Sequence, residues 1–372
     1  MRAVPVELGD RRYEVLVGPG ARHRLASVLP TQARRAAVVT QEAVGVDVDA
    51  GVEQRRFVIG QGEATKSLEV VGDLCRGFAR FGLSRDDVVV AVGGGVVTDT
   101  AGFAAACYHR GVPVVHVPTT LVGQVDAAIG GKCGVNLPEG KNLMGAFWQP
   151  AAVLCDTETL DGLPERERLA GLGEVAKYAF LGAPGLEQLP LEEQVAQSVA
   201  IKARFVEADE RERSGQRALL NYGHTLAHAI EAWGLAKQPS DAVGPDALAP
   251  DALAPDALGG ESPAPGLLHG EAVATGLAFA ARLARRLGRI GDDRVRDHDE
   301  VLSAYGLTPL LPADAGPDEL VAFMRRDKKA RGGLTFVLDG PRGIEVVEGV
   351  DEEPVYATLE TMVGSGRLRW PA

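Results

Sequence analysis

The stretch from Asp87 to Gln149 constrains this chain more than any other. It opens with an apolar run, Val88 to Val92, that reads as a buried strand. Gly93, Gly94 and Gly95 follow at once, and the small-residue stretch Thr98 to Cys107 reads as a helix. A strand, a glycine turn and a helix N-terminus make an anion site, because bare amides and the positive end of the helix dipole face one spot. A second strand, Val112 to Val117, ends in Pro118-Thr119-Thr120. A dense polar set comes next: Asp126, Lys132, Asn136, Lys141 and Asn142. The lysines stand beside glycines, which predicts loop positions rather than helix faces. This much glycine and lysine between apolar segments points to a phosphorylated ligand.

The flanking sequence fits that centre. Residues 4–17 alternate around a Gly-Asp turn and predict an antiparallel hairpin. Ala36–Thr40 and residues 55–60 read as strands, and Ser67 can cap a helix over about 68–81. Strands alternate with helices up to the last strand, residues 151–156, so the expected fold is a parallel α/β sheet with its ligand beyond the carboxyl ends of the strands. After Asp156 the texture becomes helical over 164–235, 269–290 and 317–326, with a small late hairpin near Thr335–Leu338 and Ile344–Val347. We therefore expect an α/β domain over residues 1–160 and a mainly α-helical domain over 161–372. Residues 236–266 repeat the unit PDALA with a proline in every copy, which predicts an acidic, disordered surface loop.

Charge and composition exclude whole classes of function. The 372 residues carry a formal net charge of −12, against bulk nucleic-acid binding and against an anionic membrane surface. An anionic substrate must then be drawn by local lysines and arginines. The N-terminus lacks a signal-peptide apolar core, no 18-residue apolar run occurs, and Cys75, Cys107, Cys133 and Cys155 form no C-x-x-C pair. A cytoplasmic protein with free thiols is the expectation.

Three helical segments carry metal-type chemistry. Glu174 and Lys177 share a helix face; His224 and His228 stand four apart near Arg217 and Asn221; His269 and Glu271 open another helix. One glutamate with two or three histidines suits a divalent cation, most simply zinc, with coordination positions left open. Helix spacing alone leaves both His224 and His228 as ligands. The plainer reading is surface histidines and an ordinary Glu–Lys helix pair.

The segments GGGVVTDTAGFAA, YHRG, VPTTL, QVDAAIGGKCGVN, EGKNLMGAFWQP, GEVAKY, ADERE, LLNYGHTLAHAIE, LHGEAV and DKKARGG occur in that order. Together they resemble 3-dehydroquinate synthase of the sugar phosphate cyclase superfamily, over about residues 4–340 apart from the repeat. The resemblance implies an NAD-binding α/β domain and a helical metal- and substrate-binding domain. The implied activity converts 3-deoxy-D-arabino-heptulosonate 7-phosphate to 3-dehydroquinate and phosphate by oxidation, phosphate elimination, reduction and intramolecular aldol closure. It makes Glu174, His224 and His269 the ligands of one zinc or cobalt ion, and His228 a proton-transfer group. NAD is implied to contact Glu63, Lys66, Gly94, Gly95, Val96, Val97, Thr98, Asp99, Thr119, Thr120, Lys132, Lys141, Thr159 and Leu160. Substrate is implied to contact Arg110, Asp126, Lys132, Asn142, Lys177, Lys202, Arg217, Asn221 and one of Lys328 or Lys329, with Glu212 the acidic residue of the DERE motif. A homodimer is the implied assembly. The chain departs from the family pattern at Gln41, where an acidic residue is usual, and at Cys133, where threonine is usual. The competing expectations are a cyclase for sedoheptulose 7-phosphate or glucose 6-phosphate, a metal-dependent alcohol or glycerol dehydrogenase, and a non-catalytic binding protein. Lys132, Asn142 and Lys202 favour the carboxylate-bearing heptulosonate.

Overall fold

The computed structural model describes residues 1–237, 267–327 and 333–363. The repeat and the pair Lys328 and Lys329 lie outside them. The chain divides into two compact units: Met1–Leu220 with Ser303–Leu307, and Asn221–Leu302 with Thr308–Ala372.

The first unit is built on a seven-stranded sheet in the order β1-β2-β9-β6-β5-β3-β4. Its strands are β1 (Arg2–Val6), β2 (Tyr13–Val17), β3 (Arg35–Gln41), β4 (Glu53–Ile59), β5 (Val88–Gly93), β6 (Val114–Pro118) and β9 (Ala152–Cys155). Every pairing is parallel except the β1–β2 hairpin at the edge. All six residues of β5 are buried, as a central strand covered on both faces requires. One face is covered by α2 (Leu68–Phe81) and α3 (Gly95–Cys107), after the short α1 (Leu25–Val28). Helix α2 turns Val71, Leu74 and Phe78 inward, and the Ser67 hydroxyl accepts from Val70 N at its start. Helix α3 is buried along most of its length, because it lies between the sheet and the hairpin of β7 (Lys132–Leu137) and β8 (Gly140–Phe147).

That hairpin corrects the loop expectation for Lys132 and Lys141: both lie on paired strands. Glycine neighbours serve close packing here. A Cβ on Gly102 of α3 would stand 2.5 Å from Cys133 Sγ, and one on Gly145 would stand 2.2 Å from the Cys133 carbonyl. Cys133 thus fills the α3–hairpin contact, and burial pushes its thiol far up.

Helices take over after Asp156, near the expected boundary, but compactness does not change there. Helices α4 (Glu165–Phe180) and α5 (Leu191–Ala208) remain in the first unit, with α5 packed on β1 and β2. The second unit holds α6 (His224–Ala236), α7 (His269–Arg286), most of α8 (Asp292–Ala304), α9 (Pro317–Asp327), the hairpin of β10 (Leu334–Leu338) and β11 (Glu345–Val350), and α10 (Glu352–Val363). The late hairpin matches expectation; α8 and α10 are additions to it. No described helix is long and apolar enough to cross a membrane, and all four cysteines are free.

Replacing Gly145 with alanine should force β7 and β8 apart and lower stability by about 1–3 kcal/mol, the usual cost of overpacking. Urea unfolding reads this directly; an unchanged midpoint would rule out the close approach of the two strands.

Candidate active site

The glycine turn sits at the carboxyl end of β5, and Gly94 precedes the first turn of α3, its carbonyl accepting from Val97 N and Thr98 N. A Cβ on Gly94 would meet Thr120 at 3.0 Å, and Thr119 N donates to Gly93 O at 3.0 Å. The turn and the Pro118–Thr120 segment are therefore one surface. Thr159 closes it nearby: Gln124 Nε2 donates to Pro118 O, Asp156 O and Thr159 Oγ1, and Leu160 is buried beneath.

Lys66 ends in a buried cluster beside that turn. Its ammonium donates to Asp99 Oδ2 at 2.7 Å and to Asn142 Oδ1 at 2.6 Å, with Glu63 Oε1 at 3.7 Å. Asn136 on β7 donates to Glu63 Oε1 at 2.9 Å, and its backbone N–H donates to Lys66 O at 2.8 Å. The hairpin thus clamps the Glu63–Lys66 segment. Burial raises the Asp99 carboxyl to about 6, with Lys66 opposing the shift.

A second cluster is centred on Asp126. This residue lies in a π-helical turn, Gly123–Ala127, after β6. Lys202 of α5 donates to Asp126 Oδ1 at 2.7 Å; Lys177 of α4 stands 3.7 Å from the same oxygen and 2.6 Å from Glu174 Oε2. Lys177 and Glu174 are 1% and 0% exposed, so each charge depends on its partners. Burial would raise the Asp126 carboxyl, but Lys202 and Lys177 outweigh it and hold the group well below the usual range. Burial lowers Lys202 to about 8, partly opposed by Asp126. Arg217 borders this cluster: its two terminal nitrogens donate to Gly130 O at 2.9 Å and Glu210 O at 2.7 Å. Beyond Gly130, Lys132 pairs with Glu212, which holds a left-handed backbone at φ 53°.

The second unit gathers three imidazoles. The ring centroids of His224 and His269 lie 5.6 Å apart, and those of His224 and His228 5.5 Å. The ligand nitrogens of His224 and His269 lie within 4.8 Å of each other, which suits a shared ion, and His228 is not one of that group. His224 Nδ1 lies 3.1 Å from Tyr222 O, and His269 Nδ1 lies 3.4 Å from Glu231 Oε1. Carbonyl and carboxylate only accept, so both rings are held as the tautomer whose Nε2 carries the lone pair a metal takes. Glu231 was not expected as a site residue. Its signal was its place one heptad after His224, on the same face of α6. Tyr222 is fixed in turn by buried His298, whose Nε2 lies 2.7 Å from Tyr222 Oη and whose Nδ1 lies 2.7 Å from Arg294 O. The α6–α7 spacing rests on backbone contact: a Cβ on Gly276 would stand 1.9 Å from Gly223 O.

The expected residues thus fall into three clusters, with Asn221 at the end of the 3-10 turn Arg217–Asn221. Arg110 is the exception. It is exposed on the turn Tyr108–Arg110, at the opposite end of α3 from Gly94, and joins none of the ion pairs among the described residues. The motif placed it with the substrate group; the length of α3 carries it away from Gly94.

Residues 56–170 match the family model described as 3-dehydroquinate synthase N-terminal, and residues 171–240 and 258–330 match 3-dehydroquinate synthase C-terminal. An Amycolatopsis mediterranei protein, provisionally named an aminodehydroquinate synthase, is 50% identical, with 96% of this chain and 94% of that one covered. The 3-dehydroquinate synthase of Azotobacter vinelandii is 40% identical over 97% of each chain. Among solved structures, the 2-epi-5-epi-valiolone synthase of Streptomyces hygroscopicus, with NAD+ and Zn2+ bound, aligns with a TM-score of 0.75 at 27% identity, covering 96% of this chain and 97% of that one.

Replacing Gly276 with alanine should push α7 off Gly223 and spread His224 from His269. We expect Zn2+ affinity to fall about tenfold or more, the scale of losses seen when support of metal ligands is disturbed. Calorimetric titration of the folded variant measures this; wild-type affinity would show that the glycine contact does not set the histidine spacing.

Proposed function

The chain belongs to the 3-dehydroquinate synthase family, and on that premise we propose that it converts 3-deoxy-D-arabino-heptulosonate 7-phosphate to 3-dehydroquinate and phosphate, a step of aromatic amino acid biosynthesis through the shikimate pathway. The observation that carries this reading is the buried Lys177–Asp126–Lys202 cluster with Arg217 beside it. A substrate bearing both carboxylate and phosphate needs desolvated cations, whereas a simple alcohol does not. That contrast counts against the dehydrogenase reading.

NAD and one divalent cation are the proposed cofactors. The Gly94–Asp99 turn with Thr119, Thr120 and Lys66 would take the dinucleotide, its bare amides receiving the pyrophosphate. Glu174, His224 and His269 would hold the cation; one oxygen and two nitrogen donors suit zinc or cobalt in an open site. When bound, NAD accepts and returns a hydride, and the cation polarises substrate hydroxyls. The chain supplies the rest. In our reading Lys177, Lys202 and Arg217 fix the anionic groups, and Asp126, with Glu174 beside Lys177, holds the lysines' charges before substrate arrives. Asn142 and Asn221 orient hydroxyls. His228 moves a proton, and Lys132 with Glu212 borders the entry. Arg110, Lys328 and Lys329 remain proposed substrate contacts from the motif alone. A homodimer in the cytoplasm is the proposed assembly and place.

A second reading has one observation behind it, the 50% identity with the Amycolatopsis protein. Its substrate would carry an amino group in place of one hydroxyl. The deciding experiment incubates purified protein, Zn2+ or Co2+ and catalytic NAD with each substrate in parallel, following phosphate and cyclised product. We expect the two to appear together over many turnovers, with net NADH near zero and all activity lost to chelator. Turnover on the amino substrate alone would select the second reading; stoichiometric NADH from a simple polyol would overturn both.

Lys202 supplies a pH test. It is charged below about 8 and loses its proton as pH rises through that value. Affinity for the anionic substrate should therefore fall above pH 8, giving kcat/KM an alkaline limb there. Lys202→Arg keeps its charge and should move the limb upward; coincident profiles would remove Lys202 from the anion contacts.

A further inference from the structure

A cleft of about 690 Å³ opens on the second unit where α7 ends. Arg282, Arg285 and Arg286 of α7 line it, facing Thr358 and Thr361 of α10, with Ile290 as an apolar wall. The volume lies within the usual range for small-molecule sites. In a chain of formal net charge −12, three arginines on one wall are a local excess.

Their hydrogen bonds show which are committed. Arg282 makes two bonds to Asp299, both at 3.0 Å, and is held as a structural pair. Among the described residues, Arg285 bonds only through Nε, to Asp292, and Arg286 only through one terminal nitrogen, to Ala357 O at 3.1 Å. A guanidinium has five N–H donors, so about four on each of these two arginines are unspent. Asp292 is 63% exposed on its side chain, so solvent screens this surface pair and leaves it weak. A phosphate or carboxylate making paired, charge-assisted bonds would outcompete it. The threonines add a second selection. Thr358 Oγ1 donates to Pro354 O and Thr361 Oγ1 to Thr358 O, each at 2.7 Å. Both hydroxyl protons are thus committed to backbone; Thr358 is buried, and toward the cleft the exposed Thr361 hydroxyl can only accept.

We infer that this cleft is a second ligand site, for a small molecule with an anionic group at one end and hydroxyl donors at the other, a phosphorylated or carboxylated polyol. It is not the site of the proposed reaction. Arg285 follows His269 by 285 − 269 = 16 residues on one helix, which at 1.5 Å per residue is about 24 Å.

Two probes separate the sources of the anion: ribose 5-phosphate, which has both features, and inorganic phosphate, which has one. Both are titrated calorimetrically into the metal-loaded full chain, into an Arg285→Gln/Arg286→Gln double variant and into Thr361→Val. Wild type should show a binding component that the double variant loses or weakens at least tenfold, with unchanged melting temperature and basal turnover. Any component that persists in the double variant belongs to the catalytic site. Ribose 5-phosphate should bind more tightly than phosphate, and Thr361→Val should abolish that difference. Equal affinities in wild type would overturn the hydroxyl half of the inference. Identical isotherms in wild type and double variant would overturn the site itself. If the double variant proves unstable, Arg286→Lys serves instead: it keeps the charge, loses the planar fork, and should weaken binding without unfolding; unaltered binding there also counts against the site.

Discussion

Two lysine ammoniums buried next to one carboxylate are the constraint on which the first unit turns. A buried unpaired charge costs several kcal/mol, so Lys177 keeps its charge through Glu174 and Asp126 together, and Lys202 keeps its charge through Asp126. Three elements are thereby tied at one carboxylate: the π-helical turn after β6, helix α4 through Lys177, and helix α5 through Lys202. Tyr178 adds a fourth tie, donating to Val125 O at 2.9 Å. Helix α5 must also cover β1 and β2, so the charge cluster and the sheet edge share one support. This explains why the helices after Asp156 belong with the sheet rather than with the helices that follow Asn221. It also explains a chemical poise: the cations are desolvated before any ligand arrives, and a ligand anion meets groups that water no longer screens.

The glycine turn and the hairpin work as one device in the same unit. The turn leaves amides bare at the start of α3, and the hairpin bolts Lys66 down beside them through Asn136 and Asn142. Asn142 takes a left-handed backbone, φ 55°, to reach Lys66, a conformation asparagine tolerates better than most residues. In the second unit, backbone against backbone does the equivalent task, with Gly223 and Gly276 setting how closely α6 meets α7.

The sheet was legible because buried parallel strands write themselves as apolar runs with glycine and threonine at their carboxyl ends, as in Val88–Gly95 and Val114–Thr120. The Ser67 cap was equally plain. The lysines of the hairpin were misread because Gly131, Gly134, Gly140 and Gly145 signal loops by composition, while here they permit strand and helix backbones to touch. Helix α8 escaped notice because its sequence, DDRVRDHDEVLSA, is charged nearly throughout, with only His298 and Leu302 buried. Helix α10 hides behind a proline in its first turn. Of the candidate site, the residues on continuous elements could be read from motif spacing, whereas the hydrogen bonds of Glu231 and His298 depend on where separate helices come to lie.

The sheet order also fixes a sequence in time. Strand β2 leaves the ribosome early, yet its parallel neighbour β9 lies far along the chain: Glu14 pairs with Ala152, a separation of 152 − 14 = 138 residues. At synthesis rates of about 5–20 residues per second, that is roughly 7 to 28 seconds before the inner edge of β2 can meet its partner. Open strand edges recruit other strands. Until residue 155 and then α5 have emerged, that edge has no partner within its own chain.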